Sequence, residues 1–360
     1  MVLYWSIFIL IVLFSFLEQT CVISKKNAKT IFIFMVLVLY CLSFMRWERG
    51  TDWQAYYSFF LDGGERRTYD EHTEPGYLLF NRIVAFFTDS YTVFLACWSG
   101  VYYFLYVLLA NKINGLFKGK TLRRCYMPLL LFDFSQGFAG MFAVRSTMAY
   151  LICFLAFFYI YEKKPLKFII ALLLATSLHV SSAIFILAYP LYRMQLNKIS
   201  IAAIIIVTFL LFSLGAYYEP ILKALNFGGY DEYLGGEERR SVLGSLKWVF
   251  AFLALFAFRP MGKNELYGGI VNIVLVGIIL FLWSQLYSPV AQRLSLVFTQ
   301  CILRWLAMVF YGYGEKKRIL FLLVIVAFCG VSLWSTLNSD YKGLYIPYKF
   351  FWDTFPVEVY

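Results

Sequence analysis

Charge is what this sequence has least of. Asp, Glu, Lys and Arg together make 15% of the 360 residues, against 61% hydrophobic and 21% aromatic. An ordinary soluble domain carries about a quarter charged residues, so a water-facing surface of normal make-up is excluded. Histidine is scarcer still, with only His72 and His179. The seven cysteines (Cys21, Cys41, Cys97, Cys125, Cys153, Cys301, Cys329) stand singly, mostly within or beside apolar runs. No CxxC or Cys/His spacing occurs, so neither a zinc site nor a disulfide framework is indicated. A Gly-rich phosphate loop, HExxH and GxSxG are absent too. So is DxD, the usual metal-diphosphate signature of nucleotide-sugar enzymes. Any phosphate chemistry here rests on arginines, with no metal or other cofactor expected.

What the chain has in abundance is apolar runs of near-spanning length, from end to end, with a mean hydropathy of +0.70. That predicts an all-α polytopic membrane protein in a lipid bilayer. The net charge of +11 is no sign of nucleic acid, because the basic residues sit in short loops between apolar runs rather than on one exposed face. The first run, Val2 to Leu17, has no basic n-region and no small-residue cleavage site, and reads as a retained span.

The positive-inside rule orders the rest. Span one, residues 1–17, leads to the lysine-rich loop Ser24 to Lys29, placed in the cytoplasm. Span two, Thr30 to Met45, returns outward. The segment Gly76 to Phe87 is too short to cross and reads as re-entrant or interfacial. Tyr91 to Ala110 then brings the basic stretch Asn111 to Arg124 inside. Tyr126 to Phe138 goes out, Val144 to Tyr161 comes back, and Glu162 to Lys167 is cytoplasmic. Between Phe168 and Tyr192 two half-helices meeting near His179 keep the charge rule intact, and broken helices are tolerated where they line a cavity. Ile199 to Tyr217 runs outward, Leu246 to Phe258 returns, Leu266 to Trp283 goes out, Val290 to Phe310 comes in, and Ile319 to Trp334 goes out to an aromatic tail. The expectation is one membrane domain over 1–360 with about twelve crossings, both termini outside, and outer loops at 46–75 and 218–245.

The first sustained polar stretch, Met45 to Asn81, carries seven acidic residues. Arg46, Glu48, Arg49, Asp52 and Glu74 alternate there with Trp47, Trp53, Tyr56, Tyr57 and Tyr77. Charged hydrogen-bonding groups beside flat rings suit a sugar surface; an extramembrane loop with an interfacial aromatic belt has the same composition. Ionisable groups near or within spans are functional candidates. Arg145 and Arg293, both at outer helix ends, would suit a diphosphate with their planar forks, or could snorkel to headgroups. His179, between two half-helices, could accept a proton from a hydroxyl nucleophile or rest hydrogen-bonded in the bundle. Arg304 reads as structural, and Asp133 as a helix-end contact or a proton relay.

Several strings occur in a fixed order: RxxRGTDWxxYxxFF (Arg46 to Phe60), EPGYLLFN (Glu74 to Asn81), an Arg145-Ser146-x-x-Ala149 turn, a break from Ser177 to Ala183, Gln292 to Ser295, and IPYKFFW (Ile346 to Trp352). In this order the chain resembles the EpsG-like family of bacterial exopolysaccharide membrane proteins, related to the Wzy-type polysaccharide polymerases. The resemblance spans nearly the whole chain. Ser146 departs from it, since glutamine often follows the arginine in such proteins.

The resemblance implies a membrane glycosyltransferase of GT-C-like architecture. It would join undecaprenyl-diphosphate-linked oligosaccharide repeats at the outer face of the bacterial cytoplasmic membrane, with a chain-length regulator as an expected partner. A mechanism that fits has Arg145 and Arg293 gripping the donor diphosphate and His179 as general base. Asp52 or Glu74 would position the acceptor or share the base role, and Arg49, Trp53, Tyr56 and Tyr348 would line the sugar site. One displacement would invert the anomeric centre. A lipid-linked-sugar flippase or other transporter, an acyltransferase acting on surface glycan, and a purely structural assembly protein are the rivals.

Overall fold

The computed structural model describes residues 1–50, 52–62, 73–117, 124–136, 139–142, 144–194, 250–251, 253–255, 257–258, 265–284 and 289–353, with 139–140, 265, 282–284, 289–293 and 340–341 described in backbone only. The expected outer loop 218–245, the span Ile199 to Tyr217 and His72 lie outside the described residues. What is described is helical, with no strand beyond one isolated bridge between Arg46 and Phe350. Among the described residues, five helical stretches are long and apolar enough to cross a membrane: Val2–Gln19, Lys25–Phe44, Tyr91–Gly115, Leu294–Gly312 and Glu315–Leu337.

Helix α1 (Val2–Gln19) and α2 (Lys25–Phe44) form the first pair. Helix α2 begins inside the lysine stretch that the sequence reads as a loop, because Ser24 caps it by accepting from the Asn27 amide at 3.2 Å and lysine is a good helix former. Two short helices, α3 (Trp53–Leu61) and α4 (Pro75–Ala85), follow on the polar stretch. Eleven residues of α-helix rise only about 16 Å, so α4 cannot cross a bilayer by itself. Helix α5 (Tyr91–Gly115) is long enough and runs on into the predicted basic loop. Helix α6 (Tyr126–Ser135) is buried along its length. Its first amides, at Tyr126 and Met127, donate to the carboxylate of Glu18 on α1 at 3.0 and 2.9 Å, so a side chain from another helix supplies the cap. A single turn, α7 (Ala139–Phe142), leads to α8 (Arg145–Tyr161).

The stretch from Pro165 to Arg193 reverses direction. Helix α9 (Pro165–Leu178) ends at His179, and a 3-10 helix η1 (Val180–Leu187) leads into α10 (Ala188–Arg193). The rings of Phe168, near the start of α9, and Tyr189 of α10 lie 5.6 Å apart, so the second half returns alongside the first. The expected break is there, with His179 at its apex.

Helix α11 (Glu265–Ser284) packs on α10, where Asn272 donates to the carbonyl of Leu191 at 2.8 Å. The sequence reads one span from Val290 to Phe310; Leu294 to Gly312 is a helical stretch long enough to cross, tightened between α12 (Pro289–Thr299) and α13 (Ile302–Gly312). The tightening between them is a run of i to i+3 bonds, Cys301 to Phe298 and Arg304 to Cys301, at 3.0 and 3.1 Å. Helix α14 (Glu315–Leu337) and the 3-10 turn η2 (Asp340–Leu344) are the last described elements. All seven cysteines are free thiols.

The last described segment folds back on the residues after α2. The Trp47 amide donates to Lys349 O at 2.9 Å, the Phe351 amide to Met45 O at 2.8 Å, and the Gly50 amide to Leu344 O at 2.9 Å. Lys349 pairs with Glu48 at 2.6 Å. The expectation that tail and first polar stretch share one face of the bundle therefore holds.

Candidate active site

The site is built around Glu74. Pro75 fixes the first position of α4 and so ends the preceding loop at Glu74, whose extended backbone (φ −62, ψ 138) leads into the helix. Both carboxylate oxygens are taken. Oε2 accepts from Arg145 Nη1 at 2.8 Å. Oε1 accepts from the Val180 amide at 3.1 Å and lies 3.1 Å from His179 Nδ1. Burial works to raise the Glu74 carboxyl, but the His179 bond and the Arg145 charge outweigh it and hold the group down to about 2.

Three local consequences follow. Arg145 begins α8, where the helix dipole disfavours a cation, and the Glu74 carboxylate offsets that cost. Trp98 Nε1 donates to Val144 O at 3.1 Å and anchors this helix start. The Val180 amide, which would bond to Thr176 O if α9 continued, is drawn to Glu74 instead, so the break at His179 is completed by a residue 106 positions away. In a neutral imidazole, an ionised acceptor at Oε1 would place the proton on Nδ1 and leave the lone pair on Nε2. That is the arrangement of a base oriented by a carboxylate.

Aromatic rings wall the cluster. Arg145 Cζ lies 5.4 Å from the Tyr56 ring and 5.5 Å from the Tyr77 ring, and its Nε donates to the Tyr56 hydroxyl at 3.4 Å. Burial pushes the Tyr56 hydroxyl up, with Arg145 opposing, and keeps it protonated. Tyr150 meets His179 edge-on at 6.0 Å and its hydroxyl bonds Ser181 Oγ at 3.2 Å. The Arg145 side chain remains 28% exposed against 12% for His179 and 10% for Glu74. The guanidinium is thus the most open group of the three, and its Nη2 has no partner among the described residues.

The model of the EpsG family matches residues 29–350. The chain belongs to that family. Its members are associated with polysaccharide polymerases, which makes this a membrane protein of polysaccharide biosynthesis. No curated protein and no solved structure matches the chain.

Of the residues expected to serve this EpsG-family protein, Glu74, Arg145, His179 and Tyr56 come together. Asp52 does not join them: it stands exposed before α3, and its carboxylate has no hydrogen-bonded partner among the described residues, although its charge is felt by Tyr56. Trp53 is 6% exposed, stacked on Tyr57 and edge-on to Trp47 and Tyr91; its faces are occupied by protein. Arg49 donates to Pro347 O and Glu48 O, and the Tyr348 hydroxyl to Leu42 O, so both belong to the tail contact. Arg293 is on α12, which packs against η1 and α8, and its side chain lies outside the described residues. Asp133 accepts from the Tyr102 hydroxyl at 3.4 Å. Arg304 is buried, with its guanidinium 4.2 Å from the Phe157 ring. Among the described residues no three His, Cys, Asp or Glu side chains converge.

Sequence reading misses the Val180 amide and Gly76. A Cβ on Gly76 would lie 2.4 Å from Ser177 Oγ and 2.8 Å from Ser177 O, so only glycine lets α4 approach the end of α9 this closely. The Pro-Gly pair after Glu74 was the available signal.

Proposed function

We propose that this EpsG-family chain is a polysaccharide polymerase that transfers a growing glycan from its lipid diphosphate onto the next lipid-linked repeat. The observation that carries the reading is the bridge Arg145–Glu74–His179 at the apex of a helical hairpin. It couples a partly exposed guanidinium to a carboxylate-oriented imidazole. In the reaction, His179 Nε2 removes the proton of the acceptor sugar hydroxyl. The hydroxyl oxygen attacks the anomeric carbon, the bond from that carbon to the diphosphate oxygen breaks, and the anomeric configuration inverts. Arg145, with Arg293 as its expected partner, binds the departing diphosphate and stabilises its charge. Glu74 has both oxygens engaged, which favours a role in orienting base and guanidinium over one in touching the acceptor.

The donor and acceptor would be undecaprenyl-diphosphate-linked oligosaccharides at the outer face of the cytoplasmic membrane, with a chain-length regulator as partner. We assign the complete bundle about twelve crossings and a GT-C-like architecture, a reading supported by the broken, re-entrant α9–η1 segment. The reaction needs no divalent metal, so a chelator leaves turnover intact.

The decisive measurement is mass spectrometry of lipid-linked oligosaccharides in a host lacking the gene. The strain is complemented with wild type, His179→Ala or Arg145→Ala at matched expression. Single repeats should accumulate at the outer leaflet and be cleared only by wild type. His179→Ala should cost roughly a hundredfold or more in polymer formed. Normal polymer from His179→Ala would reject the base assignment; repeats trapped at the inner leaflet would mean a flippase instead.

A further inference from the structure

At the opposite end of α2 from the polar stretch, a cleft of about 720 Å³ opens. The 20 residues of α2 put it about 30 Å away, at the face the sequence assigns to the cytoplasm. Lys25, Lys26 and Lys29 line it from α2, and Arg124 from the approach to α6. None of the ten described residues that line it is acidic. Among the described residues the three lysines have no carboxylate partner; the ion pairs there lie elsewhere.

One carboxylate, Glu18, lines an adjoining cavity that Lys25 and Arg124 also line. Its two oxygens are already held by the amides of Tyr126 and Met127, so it answers one of four positive charges at most. Neutral donors join the cations. Tyr126 donates its hydroxyl to Asn111 Oδ1 at 2.9 Å, which leaves the Asn111 amide nitrogen to donate in turn. The start of α2 has no acidic residue in its first turn and adds the partial positive charge of a helix N-terminus.

Three lysines without a carboxylate partner among the described residues repel each other around one cavity beside Arg124, and the neutral donors near them offer no relief. What complements the set is a small group with several anionic oxygens. We propose that this cleft binds a phosphate-bearing ligand, its phosphate or diphosphate held by Lys25, Lys26, Lys29 and Arg124, within a volume typical of small-molecule sites. An inner-leaflet lipid headgroup and a soluble phosphate ester present the same chemistry. The site is independent of the Glu74 cluster and places a regulatory or substrate-sensing ligand across the bundle from it.

Simple attraction of a basic loop to the membrane is the competing account, and the molecule carries its own control. Lys163 and Lys167 are exposed at the turn between α8 and α9, at the same end of the bundle as Lys112, which lies 5.9 Å from the Tyr159 ring. They line no part of the cleft. The test uses the full chain in nanodiscs. One arm titrates inorganic pyrophosphate calorimetrically in phosphatidylcholine discs; the other counts phosphatidylglycerol molecules retained in native mass spectrometry.

The variants are Lys25→Gln/Lys26→Gln/Lys29→Gln, the matching triple to Arg, and Lys163→Gln/Lys167→Gln. The glutamine triple should weaken the bound probe roughly a hundredfold, with the arginine triple and the control within about threefold of wild type. Lys29→Gln alone reads the same effect in smaller measure if the triple fails to fold. Loss of pyrophosphate binding identifies a soluble ligand, and loss of retained phosphatidylglycerol without it identifies a lipid. Absence of both probes from wild type, or equal loss in the control, overturns the proposal.

Discussion

At the scale of single residues, Glu74 is the group on which the site depends, because one carboxylate fixes a guanidinium, an imidazole and a backbone amide. Its charge state is protected by those partners, which gives a signed prediction. The folded carboxyl sits at about 2 instead of its ordinary 4.5. Between those values the unfolded chain holds a proton that the folded chain does not, so stability rises with pH there. The contribution is complete above about pH 4.5 and disappears as pH falls toward 2. Thermal unfolding of wild type against Glu74→Gln should therefore converge as the pH is lowered through that window. A gap between them that stayed constant down to pH 3 would contradict the assignment. Arg145→Lys tests the neighbouring group. A lysine keeps the charge but lacks the fork that can hold Glu74 and a ligand together, and turnover should fall about tenfold to a hundredfold. Turnover within about twofold of wild type would reduce Arg145 to a simple counter-charge.

At the scale of elements, the α4–α9 contact sets the distance between Glu74 and His179. Gly76 faces Ser177, where an added Cβ would lie 2.8 Å from a backbone oxygen. Gly76→Ala should cost roughly 1–3 kcal/mol in unfolding free energy and lower activity by a larger factor than the stability loss explains, since the shift opens the bridge. Ser177→Ala removes the hydroxyl that would lie 2.4 Å from the new Cβ but not the carbonyl, so the double variant should recover only part of the activity. Full recovery would show that the backbone approach is unimportant. The break at His179 is an element-scale feature as well: the Ser177 and Thr176 hydroxyls bond back to Leu174 O and Leu172 O, which loosens the end of α9, and Glu74 captures the next amide.

At the scale of the whole molecule, the first helices meet the last described segment. Tyr4 donates to Tyr345 O at 2.8 Å, and Tyr348 reaches Leu42 O, while Gly50, at φ +113, holds a conformation that favours glycine. The polar stretch that leads to Glu74 is thus clamped by the tail. Tyr348→Phe removes one such bond and should lower stability by about 1 kcal/mol, read as a modest fall in Tm with its ring packing kept. Deleting residues 344–360 removes the whole clamp and should impair activity without touching Glu74, Arg145 or His179. Normal activity in that truncation would separate the clamp from the site.

Composition and charge placement by themselves determined a helical membrane protein, the short non-crossing segment at α4, the reversal at His179 and the common face of tail and first polar stretch. Each follows from local hydropathy, length and the sign of nearby charges, all of which are properties of consecutive residues. The motif strings marked Arg145, Glu74 and His179 as separate candidates. Only tertiary structure decided that Glu74 spans the other two, that Asp52 stands apart, and that Arg49, Trp53 and Tyr348 spend their polar groups or ring faces on packing. The continuation of α2 into the lysine stretch, the division of α12 from α13 and the cap that Glu18 places on α6 belong to the same category. Such facts depend on which atoms of distant segments come within about 3 Å of each other, a distance no spacing along the chain encodes.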